Sequence, residues 1–299
     1  MLLLKVLMTH GYICNMIILI GCGTLGARTA RTINTQRREL SKQTSDHSVL
    51  SYDYRLLLVD HDRVEKRNVG VQLYTEQEIG LLKAQTLASK LPKTYAQSTF
   101  IDHTNLELLK EAAVIVDCTD NLATRLLINQ YCVDNGIPLV HAAASETKGF
   151  VGLFTTKPCL ACVYGGKISL EACRGADLNV NVVEQLATRQ AELALNCLEG
   201  REEHEFSLVT EHNTIPITIH NNGCPICRQE TTETPKHFYI TYCTQAGCMT
   251  AKPVGRQALT PRKEIHGNIT VEIFANGEIH FSQGEVDELQ TLASILYRG

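Results

Sequence analysis

Ile17-Ile18-Leu19-Ile20-Gly21-Cys22-Gly23-Thr24-Leu25-Gly26 decides how the rest of the chain is read. Ile17 to Ile20 is a short unbroken apolar run, as a strand buried on both faces of a parallel sheet requires. Gly21-x-Gly23-x-x-Gly26 follows at once, and Ala27 to Ile33 continues as a helix. The glycines let the backbone turn tightly against a phosphate, and the helix behind them offers unpaired N–H groups at its positive end. Strand, glycine turn and helix together indicate a nucleotide phosphate site without naming the nucleotide.

Outward from this turn, Asn34 to Tyr54 is polar and unpatterned and reads as a helix end plus an exposed loop. Arg55 to Val59 is the next buried run, ending in Asp60-His61-Asp62. A dinucleotide fold places its ribose-binding acid about 20 residues past the glycines. Here Asp60 lies 34 residues past Gly26, so the loop is an insertion or the dinucleotide reading is strained. Thr75-Glu-Gln-Glu78 is a capping box and predicts a helix to about Lys90 that carries Lys83. Leu106 to Ala112 reads as helix, and Val114 to Val116 as a third strand ending in Asp117-Cys118-Thr119-Asp120-Asn121. A helix over Leu122 to Asn135 is closed by Gly136, and Pro138 to His141 is a fourth strand. Strands alternating with helices predict a doubly wound, mainly parallel α/β sheet of Rossmann-like type with helices on both faces. Ligands of such sheets sit beyond the carboxyl ends of the strands, where Gly21, Asp60 and residues 117–121 all fall.

From Phe150 the texture changes. A strand over Phe150 to Phe154 precedes Cys159-Leu-Ala-Cys162; a helix over Val182 to Leu198 and a strand over Thr214 to Ile219 precede Cys224-Pro-Ile-Cys227. The tail carries a hairpin signal at Asn276-Gly277 and a final helix, Glu285 to Tyr297. The expected division is a nucleotide-binding half (1–149), a zinc-knuckle and partner-binding half of the same globule (150–228), and a small α+β extension (229–299).

Over 299 residues, hydrophobic residues make 44% and charged residues 20%, an ordinary globular balance. A net charge of −4 gives no basic footprint, so nucleic acid is not expected as a partner. No apolar run approaches the roughly 18 residues of a membrane span. Met1 to Met8 is apolar without a basic flank or small-residue cleavage site, and reads as an extra strand or as residues ahead of a start at Met16. Twelve cysteines, four of them in C-x-x-C pairs, suit metal chemistry in a reducing, cytoplasmic setting.

Cys159, Cys162, Cys224 and Cys227 supply the four thiolates of a closed structural zinc site; paired disulfides or unligated thiols are the other readings. Asp120, with Asn121 beside it, can hold Mg²⁺ against phosphate oxygens or cap the following helix. Lys83 can neutralise phosphate charge or sit as a solvated helix lysine. Cys173, beside Arg174, is a candidate for a lowered-pKa thiolate or an inert cysteine near the metal. His61 and His141 are assigned structural roles, with no partner legible for either.

Together these residues resemble the ThiF/MoeB superfamily, relatives of ubiquitin-activating enzymes, from Ile17 to about Arg228. The matching runs are Gly-Cys-Gly-Thr-Leu-Gly, Val59-Asp-His-Asp-Arg-Val-Glu65, Asn68 with Gln72, Ile79-Gly80-x-x-Lys83, Asp117 to Asn121 with Arg125, Ile137 to Val140, and both cysteine pairs in order. The resemblance implies ATP-dependent adenylation of the C-terminal glycine of a small ubiquitin-like or sulfur-carrier β-grasp protein, by a homodimer or heterodimer. It further implies that Gly21, Gly23 and Gly26 cradle phosphate and Asp60 binds ribose. Asp62 belongs to the same nucleotide-binding run. Asn68, Gln72 and Lys83 would contact the polyphosphate, Asp120 would hold Mg²⁺, and Cys173 stands where sulfur-transferring members bond to the activated partner.

Two positions depart from that pattern. Val71 stands where the family usually has an arginine in an Asn-x-x-Arg-Gln run, and Lys5 is the sole fixed cation ahead of Gly21. Arg28, Arg63, Lys66, Arg67 or a second protein are the candidates to supply the charge. Val71 motivates a second reading, a catalytically weakened member that binds nucleotide or a β-grasp protein as a heterodimer subunit. An NAD-dependent oxidoreductase rests on Gly21–Gly26 alone, and adenylation of a modified tRNA base has the missing basic patch against it.

Overall fold

The computed structural model describes residues 16–43, 54–155, 157–165, 178–201, 205–219, 224, 226–227, 238–243, 248–253, 262–266, 269–273 and 279–282. The readings for Met1–Met8, the 44–53 stretch, Cys173, the Asn276-Gly277 turn and the final helix lie outside them.

The central sheet has eight strands: β1 (Met16–Ile20), β2 (Arg55–Val59), β3 (Thr94–Gln97), β4 (Ala112–Asp117), β5 (Leu139–Ala144), β6 (Lys148–Phe154), β7 (Phe206–Thr210) and β8 (Thr214–Pro216). Their order is β3-β2-β1-β4-β5-β6-β7-β8, with β1 to β5 parallel and β6 to β8 antiparallel. The helices are α1 (Thr24–Gln43), α2 (Lys83–Ser89), α3 (Leu122–Asn135), α4 (Leu160–Gly165) and α5 (Val180–Leu198).

Because successive strand residues point to opposite faces, the unbroken apolar runs feed two cores. Ile17, Leu19, Leu56, Leu58, Val114 and Val116 join Ala27, Ala30 and Ile33 of α1 and Val183, Leu186 and Ala187 of α5. Ile18, Ile20, Leu57, Val59, Ile115 and Leu139 join Leu127 and Ile128 of α3 and Leu160 and Val163 of α4. Helices therefore cover both faces, and the doubly wound α/β expectation holds.

Several boundaries differ from the expectation. α1 runs to Gln43 rather than ending near Asn34: Asn34 and Arg37 are buried and donate to the Pro92 carbonyl, and Arg37 also to Tyr54 O. Polar burial of this kind leaves no apolar periodicity to read. The Thr75 capping box is real but caps only a 3₁₀ turn, Glu76–Glu78; Gly80 at φ +88° ends it, and α2 starts afresh at Lys83. Leu106–Leu109 is a 3₁₀ turn. Edge strand β3 and strand β7 were not foreseen, so the Val114 strand is fourth and the Pro138 strand fifth. The Thr214 strand stops at Pro216.

In the tail, β9 (Phe238–Cys243), β10 (Cys248–Pro253), β11 (Arg262–His266), β12 (Ile269–Ile273) and β13 (Ile279–Ser282) form an antiparallel sheet ordered β11-β12-β13-β10-β9. β12 and β13 pair as the two arms flanking Asn276-Gly277.

Candidate functional site

From β1 the chain passes to β2 on one side, and β4 lies on the other, so a crevice opens at the carboxyl end of β1. Three loops meet there, and their backbones interlock. Gly21 has φ +92°, and a Cβ on it would stand 2.7 Å from Cys118 O. A Cβ on Gly26 would stand 1.8 Å from Gly21 O and 3.1 Å from the Cys118 Cβ. These two glycines are demanded by packing of the turn itself. Gly23 is different, since a Cβ there meets nothing within 4 Å. The open side of the turn is at Gly23, ahead of α1.

Asp60, buried at the end of β2, grips this turn. Its Oδ2 accepts the Cys22 N–H at 2.6 Å and its Oδ1 accepts the Asp62 N–H at 2.7 Å. Tyr74 adds a second tie by donating its hydroxyl to Cys22 O at 2.8 Å. Burial pushes the Tyr74 hydroxyl far above its usual range, so it remains a donor. Lys83, at the first position of α2, is 7% exposed, and its Nζ meets Asp62 Oδ2 at 2.8 Å. A lysine so buried needs a charge partner, and half-exposed Asp62 supplies one at the rim. Asn68 is buried and accepts the Glu65 N–H at 2.8 Å, fixing the loop that leads to Gln72. The Gln72 Oε1 is buried with no partner among the described residues.

The candidate replacement cations are differently placed. Arg28 is buried, pairs with Glu184 of α5 at 2.9 Å, and donates to Thr24 O and to Val71 O. It braces the Val71 backbone rather than reaching into the crevice as a free charge. Arg63 donates to Gly80 O and Arg67 pairs with Glu65, both on the surface with Lys66. The Val71 side chain is 55% exposed.

Beyond β4, Asp120 is exposed and Asn121 caps α3, its side chain accepting the Thr124 N–H at 2.8 Å. The capping role considered for Asp120 therefore belongs to Asn121. Beneath this loop lies a buried cluster. Asp117 Oδ1 accepts the Thr119 N–H at 2.9 Å and hydroxyl at 2.7 Å; Asp117 Oδ2 meets His141 Nδ1 at 2.8 Å. His141 Nε2 lies 3.2 Å from the Tyr164 hydroxyl. Arg125 donates to that hydroxyl at 3.1 Å and, through Nε, to Thr119 O at 3.0 Å.

Burial opposes the Asp117 charge, yet the hydrogen bond from His141, the nearby Arg125 charge and the hydrogen bonds from Thr119 hold its carboxyl below the usual range. Burial pushes the His141 pKa down despite Asp117, so the ring is neutral. His141 thus has partners that sequence reading missed. Register could have found them, because Asp117 of β4 stands directly beside His141 of β5.

One turn further along α3, beside Asn129, the sulfur atoms of Cys159, Cys162, Cys224 and Cys227 all lie within 4.8 Å of one another. Cys159 and Cys224 are 3.7 Å apart and Cys162 and Cys227 3.5 Å. Disulfides at about 2.05 Å are excluded, whereas zinc with sulfur at about 2.3 Å in a tetrahedron spaces its ligands by about 3.8 Å. The four thiols fit a closed zinc site. Asn129 backs it, accepting the Leu160 N–H at 2.8 Å and directing Nδ2 to Cys159 Sγ at 3.7 Å. Among the described residues, no helix is long and apolar enough to cross a membrane.

Comparison with known proteins agrees with this architecture. The adenylyltransferase and sulfurtransferase MOCS3 of Dictyostelium discoideum is 27% identical over 208 residues, 62% of this chain and 49% of that protein. Its Caenorhabditis briggsae counterpart is 28% identical over 214 residues, 62% of this chain and 52% of that protein. The chain thus spans about half the length of these curated relatives. Among solved structures, E. coli MccB with AMPCPP and MccA superposes with a TM-score of 0.56 at 19% identity, covering 72% of this chain and 67% of that one. MccB with ATP gives 0.55 at 16% identity, covering 71% and 67%. At that identity the likeness is one of fold. Residues 15–221, well over half of the sequence, match the ThiF family, and the chain belongs to it.

Proposed function

We propose that this chain uses ATP to adenylate the C-terminal glycine carboxylate of a small ubiquitin-like or sulfur-carrier β-grasp protein. The observation that carries this reading is the contrast within the glycine turn: Gly21 and Gly26 are filled by the protein's own backbone, while Gly23 faces open space at the switch point. That opening lies where backbone N–H groups of the turn and of α1 can receive phosphate oxygens. Membership of the ThiF family, and curated relatives called adenylyltransferases, favour ATP over a dinucleotide.

A carboxylate is a poor electrophile. Its oxygen attacks the α-phosphorus of ATP, the bond to the bridging oxygen breaks, and pyrophosphate leaves with the electron pair. Lys83 is poised to share its charge between Asp62 and the polyphosphate, which stabilises the leaving group. Asn68 and Gln72 would contact the polyphosphate, and the buried Gln72 Oε1, without a partner among the described residues, becomes a donor once the amide's two ends are swapped. Asp60, with both oxygens already engaged, fixes the turn and offers its remaining lone pairs to ribose hydroxyls. Asp120 would hold Mg²⁺, which supplies charge neutralisation at the phosphates, while Asn121 beside it caps α3. Zinc at the four cysteines is structural, since four thiolates leave no place for substrate. Cys173 would bond to the activated partner by attack of its sulfur on the acyl carbon, with AMP leaving, and a dimer would be the working assembly.

Exchange of labelled pyrophosphate into ATP, dependent on an added β-grasp protein ending in glycine, tests this reading. We expect exchange by the wild type and its loss in Asp120→Ala. Absence of exchange with every β-grasp protein tried, alongside normal ATP binding, favours the second reading, a nucleotide-binding heterodimer subunit. Exposed Val71 at the position of a family arginine supports that reading, because Arg28 is committed to Glu184.

A further inference from the structure

Beneath the 118–121 loop, Arg125, Tyr164, His141, Asp117 and Thr119 form a closed hydrogen-bonded circuit. Its directions are mutually consistent. Ionised Asp117 only accepts, so His141 carries its proton on Nδ1 and presents bare Nε2; the Tyr164 hydroxyl donates there and accepts from Arg125. Arg125 returns to Thr119 O, and Thr119 returns twice to Asp117.

We infer that His141 and Tyr164 are positioning residues for nucleotide binding, holding Thr119, and with it exposed Asp120, at the rim through Asp117 and Arg125. The inference rests on the ATP reading above. Three observations carry it. The circuit joins four elements (β4, β5, α3 and α4), and the one segment without regular structure that it grips is the 118–121 loop. That loop is in direct contact with the glycine turn, where Cys118 already crowds Gly21 and Gly26, so a shift of one displaces the other. Tyr164 also lies on the helix that contains Cys162, so the loop is braced against the cysteine cluster. A buried circuit of charged and polar groups is no more stabilising than an apolar core of the same volume, and here it buys a fixed loop.

Tyr164→Phe removes only the hydroxyl, and His141→Asn breaks the same circuit from β5. Titration of Mg-ATP by calorimetry, at several magnesium concentrations, reads the result. Each variant is expected to weaken binding about tenfold and to need more magnesium for half-saturation. Leu109→Ala, a buried apolar position outside the circuit, is the control for lost stability, with thermal midpoints measured for all. The inference is overturned if either circuit variant binds like wild type, or if Leu109→Ala weakens binding as much. If the wild type binds no ATP, the ATP reading fails and takes this inference with it; wild-type binding with unchanged variants sinks the inference alone.

Discussion

The Asp60 carboxylate accepts the Cys22 N–H at 2.6 Å across a gap of 38 residues in sequence, so the acid that closes β2 also shapes the turn that closes β1. With Oδ1 taken by the Asp62 N–H, Asp60→Ala strands two partly or fully buried donors. The expected cost is about 2–4 kcal/mol of stability together with loss of ATP binding. Denaturant melts and calorimetry on the same sample check both, and a variant that binds ATP normally contradicts the placement.

The glycines separate packing from ligand. Gly26→Ala forces a methyl onto Gly21 O and is expected to prevent folding or to cost several kcal/mol. Gly23→Ala meets no protein atom, so its thermal midpoint is expected to stay within a few degrees of wild type while ATP affinity falls at least tenfold. Unchanged affinity in Gly23→Ala places the phosphates elsewhere.

Elemental analysis is expected to give about one zinc per chain, and a strong chelator to release it with four newly reactive thiols. Losing a closed structural site removes several kcal/mol, which lowers the midpoint by on the order of 10 °C in a domain of this size. A protein that keeps its midpoint with less than a tenth of an equivalent of metal has no such site.

Burial holds His141 neutral in the fold, whereas in the unfolded chain it titrates near 6.5. Below about pH 6.5 the unfolded state therefore binds more protons, and stability falls as pH drops, by up to about 1.4 kcal/mol per unit. The groups facing it are Asp117 of β4, Tyr164 of α4 and Arg125 of α3. Asp117, also held low, withdraws its own contribution only at more acid pH, as its folded carboxyl protonates. Melts between pH 7.5 and 5.5 should show a steeper decline for wild type than for His141→Asn; equal slopes contradict the assignment.

What was legible in the sequence is what apolar pattern and special residues report. Ile17–Ile20, Arg55–Val59 and Gly136 gave strand, strand and helix stop because burial on two faces and a left-handed cap leave few alternatives. The cysteine pairs were legible because their spacing is itself the signal. The end of α1 was not, since Arg37 and Asn34 enter the interior through carbonyl partners contributed by distant Pro92 and Tyr54. Nor was the break at Gly80, where one capping box serves a single turn. β3, alternately exposed at the sheet edge, lacks a buried run. The Asp117–His141 pair depends on register between two strands, which no local pattern encodes.

Calorimetric titration of Mg-ATP into wild type and Gly23→Ala, alone and with a β-grasp protein, tests the central claim most directly. The account predicts saturable one-to-one binding by wild type and at least a tenfold loss in the variant. No heat from wild type under any of these pairings contradicts it.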